Sequence, residues 1–284
     1  MSDMTSYGKL SIVGTPIGNL GDFSLRGIET LTNADYIAAE DTRVTLGLLT
    51  KFDIKKPLVS CYKPKEQEKS ERIIELLING NNVAMVSDAG MPCISDPGAV
   101  LVKKCYERGI PVEVIPGCNA AVAAVALSGL EVDRWVFEGF LPVPKKERAE
   151  RLDVVKNLPH ALVFYEAPHK IKQTLSDLCD ALGGERSAVL CRELTKLHEE
   201  TIRGTLYELS HYYDDIEPRG EYVIVVKGAE ITRAEFTLEQ AATLAKQLVE
   251  GGEKLSDACR EAAKTTGIPK RDIYAALSNE NNHD

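Results

Sequence analysis

The 284-residue sequence has no excess of positive charge, no Cys-x-x-Cys pair, no long apolar run and no phosphate-loop signature. Each absence removes a class of function. Its 34 Lys and Arg stand against 43 Asp and Glu, a formal net charge of -9. No bulk positive field therefore draws the chain to a polyanion, and nucleic-acid contact has to come from local patches. The seven cysteines are an odd number without zinc-ligand spacing. This argues against a disulfide scaffold and for thiols in a reducing compartment. The five His share no ligand spacing with the cysteines, so no metal is expected. The longest apolar run, Ala120 to Leu127, is too short and Ala-rich to span a bilayer, and the start "MSDMTSYGKL" is neither basic nor apolar. A cytoplasmic protein without membrane contact is expected.

What is present is ordinary globular composition, 44% hydrophobic and 27% charged, in a chain long enough for two compact units and an appendage. Short β-like runs at Leu10 to Val13, Tyr36 to Ala39, Val83 to Val86 and Val112 to Ile115 alternate with helical patterns. Such a βαβ series predicts a mostly parallel sheet with ligand loops at the carboxyl ends of its strands. A second α/β series runs from Trp135 to Val226, and the pattern after Gly228 is wholly helical. The expected division is an N-terminal α/β domain over 1–127, a C-terminal α/β domain over 128–230 and a helical tail over 231–284. In the tail, Gly267 and Pro269 separate two helical patterns in the manner of a helix-turn-helix. A helical cap over apolar surface explains the same pattern equally well, and the tail from Ile231 carries 7 basic and 9 acidic residues.

Three loops follow strands. In "VGTPIGNLGD" (Val13 to Asp22) the glycines are spaced by four and three, and Thr15-Pro16 stands where a dinucleotide fingerprint needs its second glycine. Proline removes a backbone N–H that a pyrophosphate cradle relies on, so a plain tight turn or a less anionic ligand fits better. "SDAGMPCISDPG" (Ser87 to Gly98) is too long for a minimal connector and suits a ligand loop, in which Asp88 either accepts hydrogen bonds from a ligand or caps its own backbone. "IPGCNA" puts Gly117 at a sharp turn and Asn119 at a helix N-cap.

These stretches, with "AAEDTR", "FYEAPHK" and "RGEYVIVV", occur in an order that resembles the tetrapyrrole methylase superfamily, and within it the branch that methylates ribosomal RNA. The resemblance implies two α/β domains, a homodimer and S-adenosyl-L-methionine in the cleft between the domains. It implies 2′-O-methylation of a cytidine ribose in the decoding region of 16S ribosomal RNA, with that RNA or the small ribosomal subunit as partner. Carried over by position, it places Pro16, Ile17, Asp88, Met91, Asn119, Ala120, Glu166, Leu194 and Tyr222 at the cofactor. A positive sulfonium without phosphate also suits a proline-bearing loop. Rival readings are a corrin or porphyrin precursor methylase on the same fold, a ligand-sensing helix-turn-helix DNA-binding regulator, and last a nicotinamide-dependent oxidoreductase.

Methyl transfer to a ribose hydroxyl needs in-line positioning and gains from a general base. Candidates are Glu40, Asp41, Asp96, Glu166 and His169, with Arg43 beside Asp41. Each has a plainer role: Asp41 pairing with Arg43, Glu166 orienting the cofactor, His169 opening a helix. RNA phosphates would meet Arg43 and the mixed-charge runs bearing Lys63, Lys65, Lys69, Lys145, Lys146, Arg148 and Arg151, although such runs are commonly solvated faces.

Overall fold

The computed structural model describes residues 7–63, 66–230 and 236–280. Strands β1 (Leu10–Val13), β2 (Tyr36–Ala39), β3 (Leu58–Ser60), β4 (Val83–Val86) and β5 (Val112–Ile115) form a wholly parallel sheet in the order β3-β2-β4-β1-β5. Helices α1 (Leu25–Asn33) and α2 (Thr42–Lys51) cover one face through Leu31 and Leu49, while α3 (Glu66–Ile78) and α4 (Ala99–Glu107) cover the other through Ile73 and Leu101. Burial on both faces is why the central strands read as continuous apolar runs such as "VAMV".

Chain order places the site. From β1 the chain passes to β2 on one side, and from β4 it crosses β1 to β5 on the other. The loops after β1 and β4 therefore part at a topological switch point, where open α/β sheets bind ligands.

Helix α5 (Ala120–Ser128) leaves the first sheet and covers the second, packing Ala121 and Ala124 against Val163, Val189, Val223 and Val225. Its apolar residues run around the whole helix, as expected where a helix is packed at a junction. The second sheet comprises β6 (Trp135–Phe140), β7 (Ala161–Glu166), β8 (Ser187–Arg192), β9 (Glu200–Thr205) and β10 (Tyr222–Val226), ordered β6-β7-β10-β8-β9. Only β6 and β7 are parallel; the other pairs are antiparallel. Helices α6 (Lys145–Val155), α7 (Ile171–Leu182) and α8 (Leu206–His211) cover the face opposite α5, burying Leu152, Leu175 and Leu206.

Both sheets lie in one compact unit that ends at Ala229. A separate unit holds α9 (Leu238–Glu250), α10 (Leu255–Thr266) and α11 (Lys270–Glu280) around Ala241, Ala245, Cys259, Ala262, Ile273 and Leu277. It is a three-helix bundle, so the two helices flanking the left-handed cap Gly267 pack on a third. Its cations are partly engaged: Lys270 donates to Ser256 Oγ at 2.9 Å, and Arg271 pairs with Asp272 at 3.1 Å.

Candidate active site

A cavity of about 450 Å³ opens where the loops of the first sheet meet the second sheet. Its volume lies within the usual range for small-molecule sites, roughly 300–1,000 Å³.

The first wall is built by close approach of the three loops. Gly14 and Gly117 lie back to back: a Cβ on Gly14 would sit 2.7 Å from Gly117 Cα and 2.6 Å from Met91 Sδ. The β1 loop is stitched to the β4 loop by a two-way bridge, Thr15 N–H to Gly90 O at 2.9 Å and Gly90 N–H to Thr15 O at 3.2 Å. Cys93 and Ser95 hold left-handed φ of 70° and 68°. Such strain costs of order 1–3 kcal/mol per residue and persists where the surroundings enforce it. One enforcing contact is Lys63 Nζ, which donates to Ser95 O at 2.8 Å.

Three carboxylates line this wall, Glu40, Asp88 and Asp96. Burial pushes the Asp96 carboxyl up to about 6, and the nearby Glu40 carboxylate adds to the rise. Burial likewise raises Glu40, with Asp88 adding to it, and raises Asp88. The wall thus carries negative charge held at a cost, an environment that favours a cation.

The second wall is apolar and aromatic. It presents Phe140, Tyr165, Leu194 and Tyr222. Tyr165 Oη accepts from the Ala121 N–H at 3.1 Å, tying the second sheet to the start of α5. Lys196 is anchored on this side by Glu193 and Glu221, each at 2.8 Å.

Of the residues expected at the cofactor, Ile17, Asp88, Met91, Asn119, Ala120, Glu166, Leu194 and Tyr222 lie on the cavity wall, and Pro16 does not. Asn119 also caps α5, accepting from the Val122 N–H at 3.0 Å. Glu166 is buried and both its oxygens are engaged, by Thr174 Oγ1 at 2.6 Å and the Ala167 N–H at 2.8 Å. That geometry holds the side chain in one orientation on the wall.

Asp41 is a helix cap. Its carboxylate accepts from the Arg43 backbone N–H at 2.8 Å and from the Arg43 guanidinium at 2.6 and 3.1 Å, which holds it down at about 2. A base so acidic accepts protons poorly near neutrality. The motif "AEDTR" is thus the end of β2, with Glu40 turned to the cavity, followed by the N-cap of α2. Arg43 is occupied by the same pair, and His169 is exposed in the turn before α7; neither lines the cavity.

The basic runs divide. Lys145 and Lys146 are exposed at the start of α6, Lys146 pairing loosely with Glu150 at 3.9 Å. Arg148 points inward to Asp177 on α7 at 3.2 Å, and Arg151 holds Glu138 while staying partly exposed, so both tie α6 to its neighbours. Lys69 pairs with Glu68 at 3.6 Å. Lys65 lies outside the described residues.

Lys196 and Phe140 are wall residues that the motifs do not point to, and Tyr165 lies within "FYEAPHK" without being among the residues expected at the site. One signal was available for Phe140: a glycine inside a strand pattern, "FEGF", marks a bulge.

The profile of the tetrapyrrole (corrin/porphyrin) methylases matches residues 9–210. The chain is 44% identical over 94% of its length to the ribosomal RNA small subunit methyltransferase I of Halalkalibacterium halodurans, covering 93% of that protein. It is 42% identical to the enzyme of the same name from Bacillus subtilis, over 97% of this chain and 94% of that one. Among solved structures, a uroporphyrin-III C-methyl transferase from Thermus thermophilus, complexed with S-adenyl homocysteine, superposes with a TM-score of 0.56 at 19% identity. That match spans 78% of this chain and 97% of the other, and it shows the shared fold. A switch-point cleft between a parallel and a mixed sheet, a profile across both sheets and relatives this close in sequence lead to one conclusion: the chain belongs to the tetrapyrrole methylase family of methyltransferases.

Proposed function

We propose that this methyltransferase uses S-adenosyl-L-methionine to methylate the 2′-hydroxyl of a cytidine ribose in the decoding region of 16S ribosomal RNA, as a homodimer acting on that RNA or on the small subunit. The observation that carries the reading is the 42–44% identity to ribosomal RNA methyltransferases along almost the whole chain, joined to an acid-walled cavity at the switch point.

The cavity fits the cofactor chemically. Its carboxylates complement a sulfonium and ribose hydroxyls, whereas they would repel a pyrophosphate. Ile17, Leu194 and Tyr222 offer an apolar slot for an adenine, and Asp88 with the Asn119–Ala120 start of α5 supplies polar groups. When bound, S-adenosylmethionine supplies an electrophilic methyl group on a positive sulfur.

The chain's own task is to hold the ribose and remove its proton. Asp96 is the carboxylate suited to this: it lines the cavity, and its carboxyl is raised to about 6 by burial and Glu40. At pH 7 such a group is mostly ionised yet more basic than an exposed aspartate, the compromise a general base needs. Glu40 sustains that basicity by like-charge repulsion. Ser87 and Lys63 temper it.

Purified small subunits from a strain lacking the protein, incubated with the enzyme and radiolabelled S-adenosylmethionine, should take up one methyl group as 2′-O-methylcytidine. Label on a tetrapyrrole precursor and none on the RNA would refute the reading in favour of the pigment-pathway members of the fold.

A further inference from the structure

We propose that Phe140 is the stacking platform for the nucleobase of the nucleotide being methylated, with Ile94 of the first wall bordering the same slot. This rests on the RNA-ribose reading above.

The observation is a bulge in β6 that re-aims one side chain. Phe137 pairs with Val163 on β7, but the next partners are Gly139 with Phe164 and Phe140 with Tyr165, so Glu138 is an extra residue in the strand. In regular alternation Phe137 and Phe140, three residues apart, would point to opposite faces of the sheet. The extra residue brings both to the face of Tyr165, with ring centroids 4.9 and 5.7 Å from it. Gly139 allows the bulge by adopting φ +64°. The extruded Glu138 side chain is only 1% exposed, and Arg151 holds it with two bonds at 2.5 and 2.8 Å.

A buried carboxylate and a left-handed glycine are costly devices, and what they achieve is to bring a phenyl ring to the cavity, where it stays 59% exposed. Ile94, on the same cavity, is 41% exposed. Neither exposure serves the core. A cofactor slot does not need them either, because Leu194 and Tyr222 already offer buried apolar surface.

The location suits a nucleobase. A Cβ on Gly139 would lie 3.2 Å from Ser95 Oγ, so the residue before Phe140 neighbours the residue before Asp96. Hydroxyl and base are carried by one ribose, so a base slot must adjoin the group that takes the hydroxyl proton. Bases of unpaired RNA that a protein splays out are stacked on aromatic side chains, which replace the lost stacking. Stacking tolerates any base, which leaves sequence choice to contacts elsewhere.

The test compares wild type, Phe140→Leu and Phe140→Trp on undermethylated small subunits, with S-adenosylmethionine affinity measured by calorimetry. Phe140→Leu keeps apolar volume but has no π face. It should lower kcat/KM for subunits by about ten-fold or more, the value of one base–aromatic stack, with cofactor affinity unchanged. Phe140→Trp should restore most of the activity. Equal activity of wild type and Phe140→Leu overturns the platform and leaves the RNA reading intact. A matching loss of cofactor affinity also overturns it, making Phe140 part of the cofactor wall. No transfer to subunits by the wild type overturns the RNA reading, and the platform with it.

Discussion

The two walls of the cleft differ in how their charges are held. The wall from the parallel sheet presents carboxylates that burial raises and a strained backbone: Glu40, Asp88, Asp96 and the left-handed Ser95. The wall from the mixed sheet presents ring and aliphatic surface, Phe140, Tyr165, Leu194 and Tyr222, and its charged groups Glu166, Lys196 and Glu221 are each engaged by protein partners. Parallel strands end in a crevice where loops converge, and convergent loops can place charged groups against one another. Strands of the second sheet present side chains from a flat face, which suits planar ligands. One wall is therefore built to manage charge and the other to hold flat groups, and a reaction joining a cationic donor to a nucleoside needs both.

The sharpest way to break this division is to remove the proton acceptor. Asp96→Asn should cut kcat by about a hundred-fold or more, the usual contribution of a general base, with little change in affinity for the subunit. The wild-type rate should rise with pH through about 6 and level above it, following Asp96 ionisation, and that limb should vanish in Asp96→Asn. Full activity in the variant would move the base to Glu40 or Asp88.

Next in size is the seam between the loops. Gly14→Ala drives a methyl into Gly117 and Met91, and should cost about 1–3 kcal/mol as overpacking does. At this chain length that is a fall of about 2–4 °C in Tm for each kcal/mol, and cofactor binding should weaken with it. A melting temperature equal to wild type would mean the seam opens freely.

The same Asp96→Asn variant should gain stability at pH 8. The folded state holds the Asp96 proton up to about 6 against an ordinary 3.8, so its ionisation destabilises the fold. That stabilisation is complete below about 4 and is lost as pH rises through about 6. The gain, reduced by partial exposure to solvent, should be about 2–4 °C at pH 8 and disappear near pH 4. Thermal melts across that range check it, and a loss at pH 8 would show that Asp96 is stabilised by an ion pair.

The smallest effect concerns the rim. Lys63 bonds Ser95, Ser95 neighbours Gly139, and Glu138 beside it is held by Arg151, so the loop after β3 and α6 flank one rim. Replacing Lys145 and Lys146 by Gln should reduce the slope of log affinity against log salt for subunit binding by about one to two. An unchanged slope would take α6 out of the RNA path.

Much of this was legible in the sequence. The strands Tyr36–Ala39 and Val83–Val86 stand out because burial makes them almost wholly apolar, while Leu10–Val13 and the edge strand Val112–Ile115 are each broken by one polar residue, Ser11 and Glu113, and show through their β-branched residues. The β1 and β4 loops were legible through proline, glycine and aspartate. Helix α2 was not: "TRVTLGLLTK" mixes β-branched residues with a glycine and leaves Val44 and Leu46 exposed, so no apolar stripe shows. Strand β3 is only three residues long, and α6 is so charged that its helical face is hidden. The antiparallel pairs of the second sheet depend on which strands meet, which local pattern does not encode.

Within the site, carboxylate identities were readable but their roles were not. Asp41, Glu166 and Asp96 differ in burial and in who occupies their oxygens, Arg43 for Asp41, Thr174 and Ala167 for Glu166. That is tertiary information. Phe140 was hidden for a similar reason, since a one-residue bulge reverses the face on which a strand residue emerges.

The most direct test is mass spectrometry of small-subunit ribosomal RNA from a strain lacking this protein, complemented with wild type or with Asp96→Asn. The account predicts that one 2′-O-methylcytidine disappears on deletion, returns with the wild type and stays absent with the variant. Unchanged methylation on deletion, or full restoration by Asp96→Asn, would contradict it.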